Sequence, residues 1–122
     1  MTGGGTGLGR PRAQDGLEVF IGGRDDERLG STAKAAARLD GQVVPARCDV
    51  TEPAQVDSAI AAPTHGDEVA GLLLHKAAGA FVQFAEEITP KNGWAAAVGV
   101  SLTGVPLTSH AGWRARRELA VA

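Results

Sequence analysis

Apolar residues along this chain gather into short runs, each followed by a longer mixed stretch with helical spacing. Leu17 to Gly22 (Leu-Glu-Val-Phe-Ile-Gly) predicts a strand that ends in glycine. Asp26 to Leu39 predicts a helix, because Leu29, Ala33, Ala36, Ala37 and Leu39 make an approximate apolar face. Asp25 or Asp26 can cap it, Gly30 and Ser31 weaken it, and Gly41 stops it. Gln42 to Cys48 predicts a second strand, interrupted by Pro45. Glu52 to Ala62 predicts a helix with Thr51 as N-cap and Pro53 in the first turn, broken by Pro63 to Gly66. Val69 to Leu74 is the most apolar run, which predicts a strand at the centre of a sheet. Ala77-Ala78-Gly79 turns the chain, and Thr89 to Gly93 is a loop. Trp94 to Leu102 should be helical, Pro106 should kink the continuation, and Ser109 to Val121 reads as a last helical stretch. Phe81 to Ile88 follows no clear period.

Strands alternating with helices predict an α/β fold with about three parallel strands. Ligands of such sheets bind beyond the carboxyl ends of the strands. The 122 residues make a single domain, 1–122, with a small core. At 43% hydrophobic and 21% charged, the composition is that of a globular protein. A net charge of -2 gives no reason to expect nucleic acid as a partner. Arg114, Arg116 and Arg117 read as a solvated helix end. A single cysteine excludes an internal disulfide, and Cys48 reads as an inert strand cysteine. No apolar run is long enough to span a membrane and no leader is visible, so a cytoplasmic location is expected. His65, His75 and His110 are too far apart for a local zinc motif. Glu86 and Glu87 read as a solvated face, and Trp94 and Trp113 as packing residues.

The strongest local signal is Thr2-Gly3-Gly4-Gly5-Thr6-Gly7-Leu8-Gly9. Glycines let a backbone turn tightly against a pyrophosphate, and free N–H groups there bond phosphate oxygens. A P-loop is a poor match, since Arg10 and Pro11 stand where its Lys and Ser/Thr belong. The helix expected next, Arg10 to Asp15, holds Pro11 and has no apolar stripe, which predicts a frayed turn or coil.

Thr-Gly-x-x-x-Gly-x-Gly resembles the cofactor loop of the short-chain dehydrogenase/reductase family. Six more pieces follow in that family's order. These are Val19 to Arg24, Leu29 with Leu39, Cys48-Asp49-Val50-Thr51, Leu72-Leu73-Leu74 with Ala77-Ala78-Gly79, Thr89 to Trp94, and Val98 to Gly104. The glycine loop and Ala-Ala-Gly-Ala-Phe are most similar to the 2,4-dienoyl-CoA reductase branch. The resemblance implies an incomplete Rossmann-like parallel sheet flanked by helices, with NADP(H) as cofactor. It implies hydride transfer to a small-molecule substrate, an enoyl- or dienoyl-CoA or a related carbonyl. Gly3, Thr6, Gly7, Leu8 and Gly9 would line the pyrophosphate. Arg24 would pair with a 2'-phosphate, bidentately and with no carboxylate at Gly23 to repel it, although a solvated arginine at a strand end reads equally simply. Asp49 and Val50 would hold the adenine, with helix capping as the other reading of Asp49. Ala77, Ala78 and Gly79 would pass along the ribose.

The sequence departs from the family at several points. The strand before the glycine loop has no counterpart after Met1, and the family's paired asparagines are His75 and Lys76. A lysine buried there would be costly, or it would reach a cofactor phosphate. Thr103 stands at the position of the helix asparagine that supports the family's proton relay. Family domains run to roughly 250 residues, and the serine, the Tyr-x-x-x-Lys pair and the substrate loop have no counterpart here. The chain has no tyrosine at all. The expectation is therefore a fragment that keeps part of the cofactor site without turnover. The alternative is a non-catalytic interaction module, because an incomplete sheet leaves an edge open to another chain, including a second copy.

Overall fold

The structure is a computed structural model that describes residues 1–5, 9–62, 71–79, 85–89 and 93–121. The order is α1 (Gly9–Gln14), β1 (Glu18–Gly23), α2 (Asp26–Ala36), β2 (Gln42–Arg47), α3 (Pro53–Ala61), α4 (Gly93–Val98) and α5 (Gly104–Val121). A single 3₁₀ turn covers Ala85–Glu87, and a π-helical turn, Gly99–Thr103, joins α4 to α5. Strands β1 and β2 pair in parallel, from Glu18 opposite Gln42 to Gly23 opposite Arg47. The α/β class and the parallel sheet agree with the sequence pattern.

Local chemistry explains most of the boundaries. Asp25 caps α2 by accepting the Arg28 N–H at 3.0 Å. The N-cap of α3 is Glu52, not Thr51, and its side chain makes no capping bond. Thr51 is instead turned toward Asp49, donating to it through both N–H and hydroxyl. Pro45 does not interrupt β2. The N–H groups of Gln42 and Cys48 reach Leu17 and Gly23 of the β1 segment, so parallel alternation turns residue 45 outward, where a missing N–H costs nothing.

The expected coil after the glycine loop is a short helix, α1. Ala13 is fully buried and anchors it. A Schellman ending closes it: Gly16 N–H bonds Ala13 O, Leu17 N–H bonds Arg12 O, and Gly16 takes φ 79°. The kink expected at Pro106 appears as the wide Gly99–Thr103 turn. Proline has no N–H for the carbonyl of Leu102 and its ring crowds that carbonyl, and the π turn relieves both without ending the helix. Trp94 and Trp113 are exposed, which corrects their reading as packing residues. The Arg117 guanidinium lies over the Trp113 ring at 5.2 Å.

The largest correction concerns the sheet. Of the strand expected at Val69 to Leu74, positions 69 and 70 lie outside the described residues, and 71–79 forms no strand. Among the described residues the sheet therefore has two strands where about three were expected. A parallel strand needs a continuous ladder with a neighbour, and among the described residues Met1 to Gly3 lies between β1 and this segment. Thr2 makes a parallel bridge to Gly22, its N–H bonds Leu74 O at 3.0 Å, and Gly3 N–H bonds Gly22 O at 2.8 Å. Thr2 Oγ1 accepts the N–H groups of Lys76 (3.1 Å) and Ala77 (3.2 Å).

Two apolar clusters complete the core. Val19, Ile21 and Val43 of the sheet pack with Ala13, Leu29 and Ala36 of the first two helices. Cys48, Val50, Val56 and Ala111 form the second cluster, where α3 meets α5. No helix of the described residues is long and apolar enough to cross a membrane.

Thr2 generates a direct stability prediction. Thr2→Val keeps the shape and removes the acceptor of two N–H groups, so it should cost about 1–3 kcal/mol. Thr2→Ser should retain most of the stability. Urea unfolding of the three proteins checks this, and equal midpoints would refute it.

Candidate functional site

The open ends of the two strands face a common cleft. Gly22, Gly23 and Arg24 leave β1, Cys48, Asp49 and Val50 leave β2, and Lys76, Ala77 and Ala78 follow Leu74. Together with Gly3 and Val100 they line a cavity of about 330 Å³. Gly3, Arg24, Asp49, Val50, Ala77 and Ala78, predicted from separate stretches of sequence, thus stand around one space. Thr6, Gly7 and Leu8 lie outside the described residues, and Gly9 is the first residue of α1.

Gly3 can only be glycine. Its φ is +63°, and a Cβ there would lie 2.8 Å from the Ala77 nitrogen. The glycine lets the chain turn over the Lys76–Ala77 backbone that Thr2 holds. Gly79 does not line the cleft. Its N–H bonds Ser101 Oγ at 3.1 Å, and an added Cβ would meet Ala97 Cα at 2.9 Å. Close packing on the helix therefore accounts for its size. Ser101 is the residue the sequence reading missed, since nothing local marks one exposed serine in a helix as the partner of a loop. Thr103 is exposed, in the π turn.

Asp49 is held by its own neighbours and is not the cap of α3, which is Glu52. Its Oδ1 accepts the Thr51 N–H at 3.0 Å and the Thr51 hydroxyl at 2.7 Å. Its own N–H donates to Gln55 Oε1 at 3.0 Å. Its Oδ2 faces Arg24 Nη1 at 3.9 Å. The Thr51 backbone and hydroxyl bonds, with a smaller help from Arg24, hold its carboxyl below the usual range. The Arg24 side chain is 70% exposed, so its guanidinium stays available at the rim.

Lys76 is exposed, so the cost of a buried lysine does not arise, and it lines the same cleft as Arg24. His75 fixes α5 in place, with Nδ1 2.7 Å from Thr108 Oγ1 and Nε2 3.1 Å from Ser109 Oγ. Thr108 Oγ1 also lies 2.8 Å from Gly104 O and 3.1 Å from Val105 O, and which ring nitrogen of His75 donates depends on its tautomer. Burial lowers the His75 pKa and favours the neutral ring. Burial also pushes the Cys48 thiol up, in keeping with an inert cysteine. Among the described residues no group of three or more His, Cys, Asp or Glu could hold a metal ion.

Asp49 sets a pH dependence. A carboxyl whose folded pKa is depressed contributes stability above its unfolded value, and loses it as pH falls through the folded value. Asp49→Asn should therefore lower the denaturation midpoint at pH 7, and the gap from the parent should close as the solution is acidified below the ordinary carboxylate range. A gap that stays constant with pH would show that the Thr51 bonds do not depend on the charge.

Comparison with known proteins identifies the family. A family model described as Enoyl-(Acyl carrier protein) reductase matches residues 2–120. A probable 2,4-dienoyl-CoA reductase of Bacillus subtilis is 32% identical over 118 residues, which are 93% of this chain and 46% of that protein. A short-chain dehydrogenase from Bacillus anthracis superposes with a TM-score of 0.75 at 28% identity, over 90% of this chain and 47% of its own. A variant of actinorhodin polyketide ketoreductase crystallised with NADPH gives a TM-score of 0.80 at 23% identity, covering 98% and 47%. The chain spans about half the length of each of these relatives, and it belongs to the short-chain dehydrogenase/reductase family.

Proposed function

We propose that this chain is the nucleotide-binding portion of an NADP(H)-dependent reductase, and that alone it binds the cofactor without turning over substrate. The observation that carries the reading is the convergence of Gly3, Arg24, Asp49, Val50, Ala77 and Ala78 on one cleft at the carboxyl ends of the strands. The residues fit such a group. Gly3 leaves room where a side chain would strike backbone, and Arg24 and Lys76 bring positive charge to an otherwise small-residue rim. Arg24 would take a 2'-phosphate, while Asp49, already fixed by Thr51, would orient toward the adenine with Val50. Thr6, Gly7, Leu8 and Gly9 would follow the pyrophosphate, and Gly79 would keep the Ala77–Ala78 turn in place for the ribose.

When bound, the reduced nicotinamide supplies the hydride. The substrate class is a 2,4-dienoyl-CoA, on the strength of the Bacillus subtilis relative's name, which gives a (2E)-enoyl-CoA as the product, with another enoyl-CoA or a related carbonyl as the wider family alternative. A proton must accompany the hydride. The chain has no tyrosine, and Thr103 is turned to solvent where the family places its supporting asparagine. Cofactor orientation is thus the role its own residues can fill.

Two measurements test this. NADPH at about 100 times its dissociation constant should stabilise the chain by ~2.7 kcal/mol, several degrees in a thermal melt. Arg24→Ala should raise the NADPH dissociation constant by about tenfold to a hundredfold and leave NADH binding nearly unchanged. A melt indifferent to both cofactors would overturn the binding reading. Separately, the chain mixed with NADPH and a 2,4-dienoyl-CoA should show no loss of NADPH absorbance, and steady loss would overturn the prediction of no turnover.

A further inference from the structure

Residues 3–5 of the glycine loop are held from two elements. Gly3 N–H bonds Gly22 O, near the end of β1, at 2.8 Å. The hydroxyl of Thr32, in α2, donates to Gly5 O at 2.8 Å across 27 residues of sequence. Between these two points Gly4 lies on β1, where an added Cβ would come within 2.6 Å of Ile21 Cγ2. Gly5 lies on α2, where a Cβ would meet Leu29 Cδ2 at 3.4 Å and Arg28 Cβ at 3.7 Å. Thr32 has a second acceptor within reach, Arg28 O, one turn back in its own helix at 3.0 Å. Helical threonines often satisfy their hydroxyls on that carbonyl, which by itself would serve no ligand. A hydroxyl has one proton to give, however, and the shorter of the two distances is the one to the loop.

We infer that Thr32 is a positioning residue for the nucleotide, and that through the Gly5 carbonyl it holds the glycine loop in the form that receives the pyrophosphate. This role rests on the nucleotide-binding function proposed above, in which the same loop follows the pyrophosphate. Backbone N–H groups of such a loop bond phosphate oxygens, while a carbonyl oxygen facing the same anion repels it. Committing Gly5 O to α2 takes one acceptor away from the anion and leaves the donors of the loop for it. The tether also bears on entropy. Glycine loses more conformational freedom on ordering than any other residue, and Gly3, Gly4 and Gly5 stand in a row. A bond already made in the free chain removes part of that ordering cost from the binding step. Arg24 approaches the nucleotide from another element, the turn after β1, so the two residues act on different parts of the same ligand.

The 122-residue chain and its variants Thr32→Val and Thr32→Ser are titrated calorimetrically with NADPH, NADH and adenosine 2'-phosphate. Valine keeps the shape of the side chain and removes the donor, while serine keeps the donor. Thr32→Val should raise the NADPH and NADH dissociation constants together, by about threefold to tenfold, the contribution of one net hydrogen bond. Thr32→Ser should bind both as the parent does. Adenosine 2'-phosphate has no pyrophosphate, so its affinity should be the same for all three proteins. Parent-like NADPH affinity in Thr32→Val would overturn the proposal. So would a parallel loss of adenosine 2'-phosphate binding, which marks a defect of the whole chain, or a failure of Thr32→Ser to restore affinity. A parent that binds neither dinucleotide would overturn the nucleotide-binding function itself, and the role of Thr32 with it.

Discussion

Thr2 is the constraint on which the arrangement rests. It is 7% exposed and lies between β1 and the loop that follows Leu74. Its backbone bridges Gly22 and bonds Leu74, while its hydroxyl receives two further N–H groups. A buried N–H without a partner costs as much as a lost hydrogen bond. The Lys76–Ala77 backbone therefore follows Thr2, and Gly3 must then turn immediately over it. One small polar side chain thus fixes one wall of the cleft relative to another.

The remaining walls are set by the parallel sheet itself. Parallel strands send their carboxyl ends in the same direction, so Arg24 after β1 and Asp49 after β2 arrive side by side. Thr51 and Gln55 then hold Asp49 from below, which leaves one carboxylate oxygen directed at Arg24. Their separation of 3.9 Å, with Arg24 mostly in water, makes a weak pair. A phosphate could take the guanidinium from it at little cost. On the far side, His75 and Ser101 tie the 71–79 segment to the long helical stretch through Thr108, Ser109 and Gly79. His75 thus braces the segment against α5.

The sequence by itself determined what depends on neighbours a few residues apart. The Asp25 cap, Pro53 in the first turn of α3 and the apolar β1 run were all legible, because capping, turns and periodicity are local. The stop expected at Gly41 was not, since α2 ends at Ala36 with Ala37 as its C-cap and Gly41 instead packs against the backbone of Ala13 and Leu17. Gly3, Arg24, Asp49, Val50, Ala77 and Ala78 of the cleft were named through the motifs that resemble the family, whereas Val100 joins them only through the fold. Tertiary structure alone decided the rest. Thr2 meets Lys76 and Ala77 across more than seventy residues, and Ser101 meets Gly79 across 22. The run ending at Leu74 has the composition of a central strand, yet 71–74 is not one, since a strand is a relation between two chains and the bond from Thr2 N–H to Leu74 O makes no ladder. The outward turn of Pro45 and the relief of Pro106 by a π turn likewise follow from which neighbours each backbone faces, and no pattern within either segment records that.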